Sequence, residues 1–453
     1  MCREVPARKC KCMWTYYPEL LATPVPRYTS YPTAAEFHEG VGEADQRAGL
    51  EAIGPAEPIS LYVHIPYCRE ICWYCGCNTA AANRSQRLAI YLERLSREID
   101  LIAGLLDGRG GVVRIAFGGG SPNAIAPQQF LDLIRHLKSV FAIGSSPVIS
   151  TEIDPRGFDA DFAAAMADAG VTRASLGVQT FDPNVQAAIG RTQSRETIEQ
   201  AVDLLRASGV TSLNFDLMYG LPRQDDAALI ESLKLSHETG ADRLAVFGYA
   251  HVPHLVPRQR RIDSTTLPGA AERFRQAELA HEWLVGTGWV AVGFDHFAMP
   301  HDPLAVAARE KRVRRNFQGF TDDCCESLVG LGASAISRFA TCLVQNERNS
   351  GRYGMKVGTS HLAAMRGIAT PPREVMRAHF IEHLLCQGTA DLDYLPDRLR
   401  VRKDLQRFEQ RGLISWFHSE LRLEPGALPY ARSIAAALDP WRAGSAVHFS
   451  NAV

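Results

Sequence analysis

The sequence predicts an α/β protein, a partial (β/α)6 TIM-like barrel with an N-terminal arm and a small, mainly helical C-terminal domain. Short β-rich runs alternate with longer amphipathic stretches from Ile59 onward. Unusual polar residues recur at the carboxyl ends of those runs, and the character of the chain changes after about Gly351. At 453 residues the chain is long for a single core. The expected units are residues 1–58 as the arm, 59–350 as the barrel with an extension, and 351–453 as the C-terminal domain.

The arm contains PVPRYTSYPT (residues 24–33), whose prolines set their own backbone and restrict the residue before them, so this stretch should be extended. The candidate strands follow as ISLYVHIP, VVRIAFGG, VISTEIDP, VTRASLGVQ, VTSLNFDLMYG and RLAVFGYAH. Amphipathic stretches at 86–105, 127–140, 158–169, 195–208 and 225–238 lie between them; Ser194 and Gly209 are the start and stop signals of the fourth. Such alternation implies parallel strands joined by right-handed crossovers. Beyond residue 350, PPREVMRAHFIEHLLC and LRVRKDLQRFEQRG are helical, LISWFHSELRLEP is a two-strand wing, and ARSIAAAL is a closing helix. That order is winged-helix-like, but no basic recognition helix stands out.

Apolar residues make up 46% and charged residues 22%, the balance of an ordinary globular protein, and the formal net charge of −1 gives no general attraction to nucleic acid or anionic membranes. No apolar run approaches the ~20 residues of a membrane helix. The N-terminus lacks a secretory core, so a cytoplasmic location and reduced cysteines are expected.

Of eleven cysteines, Cys68, Cys72, Cys75 and Cys77 crowd one short segment directly after the first strand. Thiolates suit iron–sulfur clusters or zinc, but structural zinc usually draws a second ligand pair from further along. Three cysteines at x3 and x2 spacing can hold three irons of a 4Fe-4S cube and leave the fourth open to S-adenosylmethionine. Further polar residues end the later strands: Gly118-Gly119-Gly120-Ser121, then Glu152 and Asp154, Gln179, Asp216, and Tyr249-Ala250-His251. In parallel barrels that rim carries the chemistry.

The x3–x2 spacing resembles the signature of the radical S-adenosylmethionine (SAM) superfamily, with Tyr74 as the aromatic before the last ligand. PRYTSYPTA, LYVHIP, GGGSP, EIDPR, GVQTF, NFDLMYGLP, GFDHFAMP and RNFQGF, together with Cys77-Asn78, resemble the bacterial oxygen-independent coproporphyrinogen III oxidases, also called coproporphyrinogen dehydrogenases. The resemblance implies one 4Fe-4S cluster on Cys68, Cys72 and Cys75, with Cys77 outside the ligand set, and two S-adenosyl-L-methionine molecules per chain. The first would touch Tyr62, Gly119, Glu152 and Ile336. The second would touch Tyr74, Gly120, Ser121, Gln179, Arg191, Asp216 and Ala250, with Phe317 and Gln318 lining the same chamber. It also implies a 5′-deoxyadenosyl radical that initiates loss of carbon dioxide from two propionates of a porphyrinogen. An external electron donor and acceptor, a monomer, and no nucleic-acid or membrane partner complete the expectation.

The glycines are expected to let the backbone approach the cofactor closely. Asp216 could instead be a structural carboxylate, Arg191 a surface cation and His64 a satisfied core histidine. Arg27 and Arg156 are candidate cations for the substrate's carboxylates, and the arm and C-terminal domain are a candidate lid. Ser121 and Gly248 depart from the family's threonine and asparagine. Cys324-Cys325 are expected as small buried residues, and Cys2, Cys10 and Cys12 as part of a mobile tail. The rival readings are a haem-binding chaperone or porphyrin-directed methyltransferase of the same superfamily, and a non-catalytic zinc-stabilised scaffold. Cys77-Asn78 and PRYTSYPTA speak against the chaperone.

Overall fold

A computed structural model describes residues 14–82 and 85–442; Cys2, Cys10 and Cys12 lie outside the described residues. The six expected strands form in order: β1 (Pro58–Ile65), β2 (Gly111–Gly119), β3 (Ile143–Ile153), β4 (Arg173–Gln179), β5 (Ser212–Tyr219) and β6 (Arg243–Gly248). Each pairs in parallel with the next. The helices Ser85–Leu106, Pro127–Val140, Ala160–Ala169, Arg195–Ala207 and Asp226–Glu238 make the crossovers. All but the first residue of β1 are buried, as a parallel strand covered on both faces requires.

Local signals set the helix starts. Asp159, Ser194 and Asp225 accept hydrogen bonds from the backbone N–H of Phe162, Thr197 and Ala228, which satisfies donors the first turn leaves open. The result is that all six carboxyl ends point to one rim.

The sheet is larger than six strands. The short strands β7 (Val290–Val292) and β8 (His296–Ala298) add antiparallel to β6. On the other side β9 (Ser327–Leu331) is a seventh parallel strand, paired with β1, and β10 (Ile336–Arg338), β11 (Cys342–Asn346) and β12 (Ala364–Ala369) continue antiparallel, making twelve strands in all. β12 therefore carries the sheet beyond the residue-350 limit expected for the barrel unit. The cause is β11, whose five residues are all buried and need a partner on their outer edge. The edge of β12 is itself met by the arm, where His38 and Gly367 exchange backbone hydrogen bonds of 2.9 and 3.0 Å.

The C-terminal part has helices Pro372–Gln387, Arg398–Glu409 and Ala431–Ala437 around a three-stranded antiparallel sheet. The expected wing (Ile414–Phe417 and Glu420–Leu423) gains a third strand, Thr389–Asp391, which starts directly after the left-handed Gly388 cap. Tyrosines stitch the arm to this part. The Tyr28 hydroxyl donates to Asp439 at 3.0 Å and Tyr31 to Glu374 at 2.9 Å. The Tyr430 hydroxyl donates to the Thr15 carbonyl and accepts from the Tyr17 N–H. Among the described residues, no helix is long and apolar enough to cross a membrane.

Candidate functional site

The cysteine loop leaves β1 at Ile65 and is closed at its base by parallel pairing of Tyr67–Cys68 with Ala80–Ala81. Cys68, Cys72, Cys75 and Cys77 all face one open cavity of about 480 Å³. The Cys72 sulfur accepts from Arg191 Nη1 at 3.2 Å and from Arg156 Nη2 at 3.5 Å. Cys77 contributes its backbone N–H, which points at the Cys75 sulfur at 3.4 Å. The Trp73 N–H donates to the Ile189 carbonyl, and the Trp73 ring packs so closely on Gly190 that a Cβ there would lie 2.6 Å from it. Gln259, buried and missed in the sequence, donates from Nε2 to the carbonyls of both Tyr74 and Ala250 at 2.9 and 3.0 Å. It braces the loop against the end of β6.

The three glycines at the end of β2 are also required by the protein's own packing. A Cβ on Gly118 would stand 2.6 Å from the Glu152 carboxylate, one on Gly119 2.3 Å from the His64 ring, and one on Gly120 2.5 Å from the Tyr67 carbonyl. The space beside them is occupied by the protein itself. The glycines let β2 seat against the root of the cysteine loop, where Gly120 and Ser121 donate backbone N–H groups to Ile65 and Tyr67 at 2.8 Å. The Ser121 hydroxyl donates to Asn123 Oδ1 at 2.7 Å.

Carboxylates make the facing wall. Glu152 accepts from the Gly119 N–H at 3.1 Å, and burial, reinforced by the nearby Asp216, pushes its carboxyl up to about 7. Asp216 accepts from Ser175 Oγ and Asn214 Nδ2; burial raises it as well. Asp154 behaves oppositely. Burial opposes its charge, but Arg191 and Arg156 outweigh that and hold it below the usual carboxylate range. Gln179 sits where β4 and β5 slip register, with φ of 68°, a bulge that re-aims the end of the strand at the rim.

The cavity thus gathers Cys68, Cys72, Cys75, Tyr74, Gly119, Gly120, Ser121, Glu152, Gln179, Arg191, Asp216 and Ala250. The other expected contacts lie outside its lining. Tyr62 stands edge-on to Phe317 at 4.4 Å, Ile336 packs with Phe37, Leu343 and Ile368, and Gln318 is exposed at the tip of a hairpin. His64 is the satisfied core histidine: burial lowers it to about 4, Nδ1 meets the Tyr62 hydroxyl and Nε2 the Ser334 hydroxyl. Arg191 is a buried partner of Asp154, not a surface cation. Arg156 is spent on Asp154 and Glu70, which removes it as a substrate cation. Of the Cys324-Cys325 pair only Cys325 is buried; Cys324 is exposed because the chain turns outward between β strands there.

This donor set fits an iron–sulfur cluster. Three soft thiols come from one loop around one cavity, and two guanidiniums stand at Cys72 to offset thiolate charge.

A sheet of parallel strands with such a loop after its first strand defines a radical SAM protein, and the Radical SAM superfamily model matches residues 62–236. That class comprises a 4Fe-4S cluster and SAM as cofactors. Within it, the chain belongs to the family of oxygen-independent coproporphyrinogen III oxidases. It is 41% identical over 423 residues to the oxygen-independent coproporphyrinogen III oxidase of Bradyrhizobium diazoefficiens, covering 92% of this chain and 94% of that one. To that of Escherichia coli K12 it is 39% identical over 373 residues, 82% and 80% of the two chains. The solved structure of the Escherichia coli coproporphyrinogen III oxidase, described as a radical SAM enzyme, superimposes with a TM-score of 0.88 at 33% identity, covering 95% of this chain and 100% of that one.

Proposed function

We propose that the chain decarboxylates two propionate side chains of coproporphyrinogen III to vinyl groups, giving protoporphyrinogen IX for haem biosynthesis without oxygen. The observation that carries this reading is the convergence of Cys68, Cys72 and Cys75 with Glu152, Asp216 and Arg191 on one cavity. A bound cluster and SAM would supply the one-electron cleavage that generates the hydrogen-abstracting radical. The chain's own residues position and shield. Cys68, Cys72 and Cys75 hold iron, and Gln259 fixes the loop that carries them. Glu152 and Asp216 accept hydrogen bonds from ribose hydroxyls or the amino group of SAM.

Two SAM molecules are proposed, one toward Tyr62, Gly119, Glu152 and Ile336, the other toward Tyr74, Gly120, Ser121, Gln179, Arg191, Asp216 and Ala250. The cavity's volume of about 480 Å³ and its two lining carboxylates, Glu152 and Asp216, support them. Phe317 and Gln318 would cover the first. An outside donor reduces the cluster, and an outside acceptor takes the remaining electron of each decarboxylation. The enzyme acts as a cytoplasmic monomer in this reading.

Anaerobic reconstitution tests it. The expected result is about four irons per chain, release of 5′-deoxyadenosine with SAM and a reductant, and conversion of coproporphyrinogen to protoporphyrinogen. Deoxyadenosine without decarboxylation would sink the substrate assignment, and a Cys72→Ala chain that still loads and cleaves SAM would sink the cluster assignment. A SAM stoichiometry of one at saturation would remove the second molecule.

A further inference from the structure

A smaller chamber beside the cysteine cavity shares Arg27, Phe247 and Ala250 with it. Among the described residues, Arg27, Arg273 and Arg432 line it with one carboxylate, Asp295. That carboxylate is already engaged, with His296 Nδ1 at 2.7 Å. Arg273 Nε is buried and has no hydrogen-bond partner among the described residues. The backbone makes room for this side chain: a Cβ on Gly248 would lie 3.3 Å from Arg273 Nη2, and one on Gly220 3.0 Å from Nε.

Arg27 stands at the junction, exposed, its Nη2 donating to the Gly248 carbonyl at 3.2 Å and its head over the Phe247 ring. It is held there by Arg315, which donates to the carbonyls of Arg27 and Tyr28 at 2.9 and 3.0 Å. Burial works against the charge on Arg273 and on Arg432, and the neighbouring charge of Arg27 adds to that in both. A guanidinium cannot shed its proton, so Arg27 and Arg273 give the chamber a lasting preference for an anion. The rest of the wall mixes aromatic rings, among them Phe247 and Phe294, with Ala277, Leu428 and Pro429, and suits a pyrrole ring beside that anion.

We propose that this chamber binds a non-reacting propionate carboxylate of the tetrapyrrole, with Arg27 and Arg273 as its cations, and so presents a neighbouring propionate to the cysteine cavity. The assignment rests on the porphyrinogen reading of the site. Arg315 is a positioning residue, acting through Arg27.

The test uses reconstituted holoenzyme and two readouts, KM against kcat for coproporphyrinogen III and absorbance titration with coproporphyrin III. Arg27→Gln and Arg273→Gln should each raise KM and weaken coproporphyrin binding about tenfold or more, the loss expected for a charge-assisted hydrogen bond. Arg273→Lys should recover part of the binding. Arg27→Gln removes an exposed side chain and keeps the test valid should Arg273→Gln fail to fold. If the wild type decarboxylates while both glutamine variants keep its KM and affinity, the chamber is overturned and the function stands. If coproporphyrin binding depends on both arginines but no protoporphyrinogen forms, the function falls and the chamber stands.

Discussion

The two adjoining cavities, the cysteine end and the arginine end of the site, carry opposite charge problems. At the cysteine end, Glu152 and Asp216 are carboxylates that burial drives toward the neutral form. At the far end, Arg27, Arg273 and Arg432 remain cations whatever their surroundings. The first end can wait for a cationic ligand by holding protons; the second has no proton to give up and favours an anion. Sensitivity to pH therefore belongs to the carboxylate end, and constant affinity for anions to the arginine end.

The contrast breaks most severely at Arg191, the guanidinium that the carboxylate end does contain. Arg191→Gln leaves Asp154 to Arg156 alone inside a buried network and should cost roughly 3 kcal/mol or more in denaturant unfolding of the cluster-free protein. A loss within experimental error would mean Arg156 suffices.

Glu152 sharpens it next. Its folded carboxyl titrates near 7 against an ordinary 4.5, so its contribution to stability is full below about 4.5 and is lost as pH rises through about 7. Glu152→Gln should flatten that dependence, removing up to roughly 3 kcal/mol of relative change between pH 4 and pH 8. SAM affinity of the wild type should rise over the same interval, and the variant's should not. Substitutions at Arg27 or Arg273 should leave both slopes in place.

Gly118→Ala follows, since its Cβ would meet the Glu152 carboxylate. A destabilisation of about 1–3 kcal/mol is expected, with weakened SAM binding on calorimetry. The smallest effect is Tyr28→Phe, which removes the bond to Asp439 beside the arginine end. It should cost about 1 kcal/mol and raise KM without changing iron content.

What the sequence disclosed follows the range of the interactions involved. The six strands, their helices and the Ser194 cap are local patterns, and the three thiols lie within eight consecutive residues, so each was legible. β9 was not, because SLVGL is five residues long and is a strand only through its partner β1. Gln259 carries no pattern of its own; its role comes from two carbonyls, at Tyr74 and Ala250, that only the fold brings together. The glycine motif was legible by its position, but the packing that also demands it was not, since what each missing Cβ would strike is invisible without coordinates. Arg27 and Arg156 looked alike in the sequence and were separated by the carboxylates beside one of them.

The hydrogen bond between Tyr17 and Tyr430 spans 413 residues. The arm therefore leaves the ribosome 413 residues ahead of the segment that holds it, while Arg191 and Gln259, which brace the cysteine loop, are made between the two. The tie on the arm is thus the latest of these contacts that the growing chain can complete, and a chain cut before Tyr430 would keep both braces in its sequence but lose that tie.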